Sequence, residues 1–381
     1  MEKELNKRSK VCGIFNFAPH YRLPIYKLMS ERLGADFYFC DRLPYTNSIK
    51  KIDYSQLTTF KKELKLGNIR SRSLWKGMYK LAFKPYDIYI ITPDHRSPSQ
   101  WLFLLACKLL GKKVVGWWHG IAPGYNSKGK EWRERKSFFR LLDGNFIYGD
   151  KAREYMDRIK FPAKNKLTIY NSLDYDISVE KRKENLTSRI YKEYFGNDNP
   201  VLLFIGRLTK IKKLDMIIEA HRLLLNKGIK TNVVFIGGGE EAENLQNSIP
   251  ADAKDYFWFR GPVYDENEIS TMLYNADLCV SPGNVGLTAI HALYYGLPTI
   301  TNDNFLTQMP EHECIIHGET GAFFKDGDTE SLAAEIKHWF ECSHKREEVR
   351  NKCYKVADTT FNPYRQVEIM KEMINILREH Q

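Results

Sequence analysis

Short apolar segments without polar alternation recur along this chain, and helix-like segments or turns separate them. A strand with one face in water alternates polar and apolar residues, whereas a strand of a parallel sheet is apolar throughout because helices cover both faces. The recurrence therefore predicts an α/β fold built on parallel sheets. The predicted strands cover residues 11–15, 36–39, 87–91, 113–118, 145–148 and 167–170, then 201–206, 232–236, 256–259, 278–280 and 299–301. The predicted helices include residues 21–33, 214–225, 330–340 and 363–378, and a buried helix over residues 101–110.

A charged stretch, residues 175–199, separates the two groups of strands. A chain of 381 residues is long enough for two separate cores. We therefore predict two doubly wound, Rossmann-like domains facing a cleft, over residues 1–175 and 176–360. A final helix, within residues 361–381, is expected to pack back on the N-terminal domain. Ligands of such sheets bind beyond the C-terminal ends of the strands.

One local pattern indicates what such a ligand contains. The apolar segment 278–280 ends in the turn Ser281-Pro282-Gly283-Asn284, a helix is expected to begin near Gly286, and Gly296 to Pro298 should end it. The first turn of a helix has free N–H groups and the positive end of the helix dipole. This pattern therefore predicts a phosphate site at the start of that helix.

The second half of the chain also contains six short motifs in a fixed order. They are Gly206-Arg207-Leu208 followed by Lys212, Gly237-Gly238-Gly239-Glu240, Phe259-Arg260-Gly261-Pro262-Val263, Ala276-Asp277 leading into Leu278–Pro282, Gly286-Leu287, and Gly296-Leu297-Pro298. Through this ordered set the chain resembles the retaining GT-B glycosyltransferases of family 4, strongly over residues 200–330 and more thinly over the N-terminal half. The resemblance implies transfer of a sugar from a nucleotide-diphosphate donor to a hydroxyl of a saccharide or lipid-linked saccharide, with retention, in surface polysaccharide or glycoconjugate biosynthesis.

The resemblance also implies roles for residues of the C-terminal domain. Arg207 and Lys212 would hold the donor diphosphate and stabilise the charge that builds on the leaving phosphate. Arg207 as a surface ion pair is the alternative, and the neighbouring Lys210 and Lys213 leave the register of Lys212 open. The other donor-binding candidates are Gly206, Gly237, Val263, Asn284, Gly286, Leu287, Thr288 and His291.

The chain departs from the family at a pair of acidic residues. The family has Glu-x7-Glu here, and this sequence has Gly283 and His291 at those two positions. In the family, the second Glu binds the donor ribose and the first meets the transferred sugar. His291 and Asn284 could replace them, which would make the chain a functional variant. Loss of function, with His291 merely packed in the wall of the cleft, is the alternative.

In the N-terminal half, the resemblance points to residues that follow predicted strands. His119, after the strand at 113–118, would face the donor sugar and the acceptor and could share a proton with the acceptor hydroxyl. His20 and Arg22, in the turn after the first strand, are acceptor-side candidates, and so is Asn171. Each could instead have only a structural role.

The net charge of +11 is unevenly distributed. Residues 61–86 and 128–140 combine Lys and Arg with aromatic residues, which suits an anionic membrane surface. A solvated helix face is the alternative, and nucleic acid is disfavoured because no binding motif accompanies the charge. The seven cysteines have no paired spacing, and no signal peptide or membrane-spanning segment is evident. We therefore expect a cytoplasmic protein, peripheral to the inner face of the membrane.

No cofactor and no metal are expected, because basic residues would neutralise the phosphates. Two alternatives in function stay open. One is a catalytically silent GT-B subunit that binds a partner transferase or a membrane. The other is a GT-B nucleotide-sugar epimerase, which would need acidic residues for proton transfer in the cleft, and the sequence shows none near His119 or His291.

Overall fold

The computed structural model describes residues 10–42, 49–69, 72–125, 127–184, 186–342 and 345–379. The chain divides into two compact units, one formed by Met1–Asp174 with Pro363–Gln381 and the other by Tyr175–Asn362. Each unit contains one large sheet in which all paired strands run parallel. The predicted α/β fold with two Rossmann-like domains is confirmed.

The first unit is built on a seven-stranded sheet with the order β3-β2-β1-β6-β7-β8-β9. Its strands are β1 Val11–Phe15, β2 Asp36–Cys40, β3 Phe60–Leu64, β6 Ile88–Ile91, β7 Lys113–Trp118, β8 Gly144–Ile147 and β9 Lys166–Thr168. A separate antiparallel hairpin joins β4 Leu66–Ile69 to β5 Arg72–Trp75. The helices are α1 Leu23–Leu33, α2 Pro98–Leu109, α3 Gly129–Leu141 and α4 Asp150–Arg158, with a 3-10 helix at Met78–Phe83.

The last helix of the chain, α13 Pro363–Glu379, belongs to this first unit and packs against α1. Its apolar residues recur at helical spacing, and Met370 and Met373 are completely buried. Met373 fits against Gly144 at the start of β8, where a β-carbon would come within 2.4 Å of the methionine sulfur. A glycine at that position therefore lets the helix approach the sheet closely.

The second unit is built on a six-stranded sheet with the order β12-β11-β10-β13-β14-β15. Its strands are β10 Val201–Ile205, β11 Asn232–Ile236, β12 Phe257–Gly261, β13 Leu278–Ser281, β14 Thr299–Asn302 and β15 Gly321–Phe324. Its helices are α5 Tyr175–Arg182, α6 Ile190–Phe195, α7 Asp215–Asn226, α8 Ala242–Ser248, α9 Glu266–Asn275, α10 Leu287–Tyr294, α11 Thr329–Glu341 and α12 Arg346–Thr359. The charged stretch 175–199 thus contains two short helices.

Two regions of the first unit differ from the sequence-based expectation. The described basic residues of 61–86 lie on strands (Lys61, Lys62, Arg72), on a 3-10 helix (Lys80) and in connecting segments (Lys65, Lys76, Lys84), so the solvated α-helix face offered for this stretch is not found among them; Arg70 lies outside the described residues. The buried helix expected over 101–110 is buried on one side only, because Leu102, Leu105 and Leu109 are exposed. The apolar composition of that segment predicted burial, but none of the described residues of the first unit covers these leucines fully.

Candidate functional site

Neighbouring strands β10 and β13 mark the point where the strand order of the second unit reverses. From β10 the chain proceeds outward to β11 and β12, and from β13 it proceeds outward in the opposite direction to β14 and β15. Connections leave such a pair of strands on opposite faces of the sheet, which opens a crevice at their C-terminal ends. Gly206 directly follows β10, and Gly283 closely follows β13. The two predicted donor-binding loops, residues 206–212 after β10 and residues 282–286 after β13, therefore begin at the usual ligand position of this fold. They are called the donor loops below.

Glycines let the loops at this edge of the sheet lie against one another. A β-carbon at Gly237 would come within 1.8 Å of the carbonyl oxygen of Gly206, and one at Gly283 within 2.0 Å of that of Ile211. Gly206 and Gly237 also have φ angles of 145° and 139°, which side chains rarely adopt. The backbone N–H of Gly283 donates to the carbonyl of Lys212, at 2.9 Å, and joins the two donor loops. Gly237 thus has a defined role in packing, and its proposed contact with the donor stays a prediction.

Lys212 is held directly against the loop after β13. Its ammonium donates to the carbonyl oxygens of Asn284 and Val285, the latter at 3.3 Å. Burial lowers the pKa of Lys212 to about 8, and the charge of Arg207 acts in the same direction while the carboxylate of Glu311 opposes it. An ammonium has three N–H donors. Among the described residues, backbone carbonyls accept two of them, so an anion can take the third.

The helix expected near Gly286 begins there, as α10. Gly286 caps this helix with a φ of 53°, and the Lys212 ammonium nitrogen lies 3.8 Å from the place where a β-carbon at Gly286 would stand. The first-turn N–H groups of α10, which include those of Leu287 and Thr288, are therefore next to a lysine. The hydroxyl of Thr288 donates to the carbonyl of Ile205 at 2.8 Å, so it stabilises the β10 end of the site. The positive end of a helix dipole and an ammonium together make this edge a strong anion site.

Side-chain amides from the neighbouring strand edge support this loop. The amide oxygen of Gln308 accepts from the backbone N–H of Val285 at 2.8 Å, and its nitrogen donates to the carbonyl of Gly283 at 3.0 Å. Asn302, at the end of β14, also donates to the Gly283 carbonyl at 3.0 Å. The side-chain amide of Asn284 donates to the carbonyl of Thr307, the residue before Gln308. No sequence motif marks these amides, which act only through their position in the fold.

His291 lies on α10 beside a carboxylate that comes from another helix. Its ring nitrogen Nε2 is 3.7 Å from Oε1 of Glu266, at the start of α9, and the hydroxyl of Tyr295 donates to the same oxygen. Burial raises the pKa of Glu266, but the hydrogen bonds from His291 and Tyr295 outweigh it and leave the pKa lowered. The acidic residue that the family has at position 291 is absent, yet a carboxylate occupies the same neighbourhood.

The remaining C-terminal candidates lie on the surface. Arg207 is exposed, and its charge acts on Lys212. Val263 is half-buried in the segment that follows β12 and leads to Glu266. The second unit therefore places Lys212 beside the start of α10, and Arg207 lies near enough for its charge to help lower the pKa of Lys212.

In the first unit, Arg22 is held between aromatic rings. Its guanidinium carbon lies 5.1 Å from the ring centroid of Trp117 and 5.2 Å from that of Tyr148, and the guanidinium donates to the Tyr148 hydroxyl. His119, directly after β7, is exposed, and its ring centroid lies 4.8 Å from that of Tyr148. Arg22 and His119 therefore share one aromatic neighbour. Such cation–π contacts fix the orientation of a guanidinium.

The other two N-terminal candidates have contacts with the backbone. His20 is exposed, and its Nδ1 lies 3.2 Å from the carbonyl oxygen of Lys50. Asn171 is buried, and its side-chain oxygen accepts from the backbone N–H of Ser172 at 3.0 Å. The acceptor-side roles of these two residues stay predictions.

The described part of the chain has no group of three or more His, Cys, Asp and Glu side chains placed to hold a metal ion. None of its helices is long and apolar enough to cross a lipid bilayer.

Comparison with known proteins gives a match for most of the second unit. Residues 189–356 match the family model described as "Glycosyl transferases group 1". The match lies wholly within the second unit, Tyr175–Asn362. This match includes both donor loops, the start of α10 and the carboxylate of Glu266.

Among curated proteins, the chain is 26% identical over 213 residues to a GDP-mannose-dependent alpha-(1-6)-phosphatidylinositol dimannoside mannosyltransferase of Mycobacterium tuberculosis, over 52% of this chain and 51% of that protein. It is 25% identical over 187 residues to the capsular polysaccharide biosynthesis glycosyltransferase CapM of Staphylococcus aureus, over 47% of each chain. The chain thus spans about half the length of the curated relatives that it matches.

Solved structures extend the likeness to nearly the whole chain. The lipopolysaccharide outer core galactosyltransferase WaaB superposes with a TM-score of 0.70 at 15% identity, over 96% of this chain and 99% of that chain. Anabaena Alr3699/HepE in complex with UDP superposes with a TM-score of 0.69 at 13% identity and the same coverage. At this identity the likeness establishes the fold, which is GT-B.

Proposed function

We propose that this protein is a glycosyltransferase that moves a sugar from a nucleotide-diphosphate donor to a hydroxyl of a saccharide or a lipid-linked saccharide. The observation that carries the proposal is the Lys212 ammonium beside the N-terminus of α10, at the reversal point of the second sheet. The match of residues 189–356 to group 1 glycosyltransferases supports it independently.

The chemistry of the site suits a departing phosphate. Negative charge grows on the diphosphate as the bond to the sugar breaks. Fixed cations and N–H groups therefore stabilise the transition state more than they stabilise the ground state. Lys212 is already anchored by two carbonyls, so it needs no reorganisation to receive the charge. We propose that Arg207 contributes a second, exposed cation. We propose that no cofactor is needed beside the donor and the acceptor, because the protonated groups of the chain take the place of a metal in neutralising the phosphates.

We further propose that the donor nucleotide contacts His291 and Glu266, with Gly206, Val263 and Leu287 lining its path. A carboxylate paired with an imidazole can accept hydrogen bonds from two adjacent ribose hydroxyls. This proposal interprets the missing Glu-x7-Glu pair as a variant. Arg22 and His119 are the proposed acceptor-side contacts, His119 as the group that shares a proton with the acceptor hydroxyl, and His20 and Asn171 remain weaker candidates.

The finer aspects of the function rest on the relatives. The names of the curated relatives include a phosphatidylinositol dimannoside and a capsular polysaccharide. These names support our proposal of surface polysaccharide or glycoconjugate synthesis, at the cytoplasmic face of an anionic membrane. The resemblance to family 4 supports transfer with retention, which the anomeric configuration of the product would test.

The experiment is a screen of nucleotide sugars that measures the nucleotide released, with UDP binding followed by calorimetry. We expect Lys212→Ala to abolish release and to weaken UDP binding while the protein stays folded. Lys210→Ala, an exposed lysine on the same 3-10 turn, is the matched control and should behave as the wild type. Equal turnover by Lys212→Ala would refute the assignment. Absence of binding to any nucleoside diphosphate would favour the silent subunit, and conversion of a donor without an acceptor would favour the epimerase.

A further inference from the structure

Helix α2 of the first unit exposes a row of leucines. Leu102, Leu105 and Leu109 lie three and four residues apart, which places them on one face of the helix, and their exposures are 59%, 47% and 89%. Phe103 and Cys107, on the other face, are completely buried in the core of the unit. The helix thus has apolar residues on two faces, and the described residues of the first unit bury only one of them.

The 3-10 helix at Met78–Phe83 extends this apolar surface. It packs against α2, and its inner residues share one core with the inner residues of α2. On its outer side, Tyr79 is 45% exposed and Phe83 is 69% exposed. We call the exposed side chains of α2 and of this 3-10 helix the leucine face. Monomeric proteins seldom expose a continuous apolar surface of this kind unless it contacts a partner.

Three exposed lysines lie on or directly after the elements of the leucine face, and one of them, Lys108, also forms an ion pair with Asp143 at 3.3 Å. Lys80 and Lys84 are exposed on and directly after the 3-10 helix, and Lys108 is exposed on α2. Residues 76–113 contain seven Lys and Arg against two acids, Asp87 and Asp94. A protein partner for this face would need an apolar surface with an acidic border, whereas the surface of an anionic bilayer offers both properties at once.

We propose that the leucine face binds the surface of an anionic phospholipid bilayer. Helix α2 would lie in the plane of the interface with its leucines at the boundary of the acyl chains and the lysines at the phosphates. A helix of 12 residues is too short to span a bilayer, so contact is limited to one leaflet. This proposal rests on the membrane location in the proposed function and deepens it, because it adds helix α2, which lies outside the basic stretches 61–86 and 128–140, to residues 78–84 of the first stretch.

The test is flotation of the full chain with vesicles of phosphatidylcholine alone or with about three tenths phosphatidylglycerol. We expect binding to the mixed vesicles, little binding to the neutral ones, and loss of binding at high salt, because the lysine contribution is screened. Replacing all three leucines by Gln, a good helix former, should lower the partition coefficient more than tenfold. The matched control replaces three exposed aliphatic residues of the second unit, Ile177, Leu306 and Ile316, by Gln and should bind as the wild type.

A charge variant tests the lysines separately. Lys80→Gln with Lys84→Gln should weaken binding roughly fivefold for each lysine removed. Circular dichroism and UDP calorimetry on each variant show whether the protein is folded and whether the donor site is intact, so failure here is distinguishable from failure of the proposed function. Should the triple variant not fold, Leu109→Gln, at the most exposed of the three positions, should still lower binding at least threefold.

Several outcomes would overturn the proposal. The first is a wild-type chain that ignores phosphatidylglycerol vesicles, and the second is a leucine variant that binds them as the wild type does. The third is a lipid-free dimer that the triple variant converts to a monomer, with no vesicle binding by either; the leucine face would then be an interface between two copies of this chain.

Discussion

The lowered pKa of Lys212 predicts that donor binding depends on pH in a range where most protein lysines do not titrate. Burial lowers its pKa from 10.5 to about 8, which corresponds to about 3 kcal/mol against the charged form. A diphosphate needs that charge, and its terminal phosphate, with a second pKa near 6, is ionised throughout this range. Between pH 7 and 9.5 the protonated fraction of free Lys212 falls about thirtyfold. We therefore expect UDP affinity to fall by up to about thirtyfold over this interval.

Calorimetry in two buffers of different ionisation enthalpy provides the sharpest assay. At pH 8.5 about three quarters of free Lys212 is neutral, so UDP binding should take up about 0.8 proton. Lys212→Arg provides the control, because a guanidinium stays charged above pH 12 and should give no proton uptake at this pH. An unchanged affinity from pH 7 to 9.5, or a wild-type proton uptake near zero, would refute the reasoning.

The same pKa has a consequence for stability. The folded pKa of Lys212 lies below the unfolded value, so between pH 8 and 10.5 the unfolded chain binds more protons at this residue than the folded chain. The contribution of Lys212 to the free energy of unfolding therefore rises with pH across this window, by about 3 kcal/mol in total. Denaturant titrations of the wild type and of Lys212→Met at pH 7 and pH 10 should show this difference.

The remaining predictions concern the supports of the two candidate sites. Gly283→Ala places a methyl group 2.0 Å from a backbone oxygen and should lower the free energy of unfolding by about 3 kcal/mol or more. The control is Gly261→Ala, at a φ of 76° in open space, which should lower it by about 1 kcal/mol. Denaturant titrations measure both values. Glu266→Gln should weaken binding of UDP about tenfold and leave binding of pyrophosphate unchanged, since the proposed contact is with the ribose; equal weakening of both ligands would contradict it. Arg22→Met removes two cation–π contacts, worth about 1 to 2 kcal/mol together, and should lower transfer to an acceptor while calorimetry shows unchanged UDP affinity.

Much of the fold could be predicted because it depends on local patterns. The strand β7 was predicted with its observed bounds, and α10 begins directly after Gly286, where the turn and the glycines indicated it. The strands β3 and β15 and the helix α12 were not predicted. The sequence of β3, Phe-Lys-Lys-Glu-Leu, has too few apolar residues for a buried strand, and it lies at the edge of the sheet, where pairing on one side suffices.

The sequence by itself determined where phosphate-binding turns and buried strands form, because glycine conformations, helix starts and apolar runs depend on residues close together in the chain. Only the tertiary structure decided which distant groups meet there. Glu266 reaches His291 from a helix 25 residues earlier in the numbering, and Gln308 supports the loop at Val285, because the packing of helices and strand ends sets those distances. The leucines of α2 show the same division: their composition predicted burial, and the arrangement of the layers around the helix left them exposed.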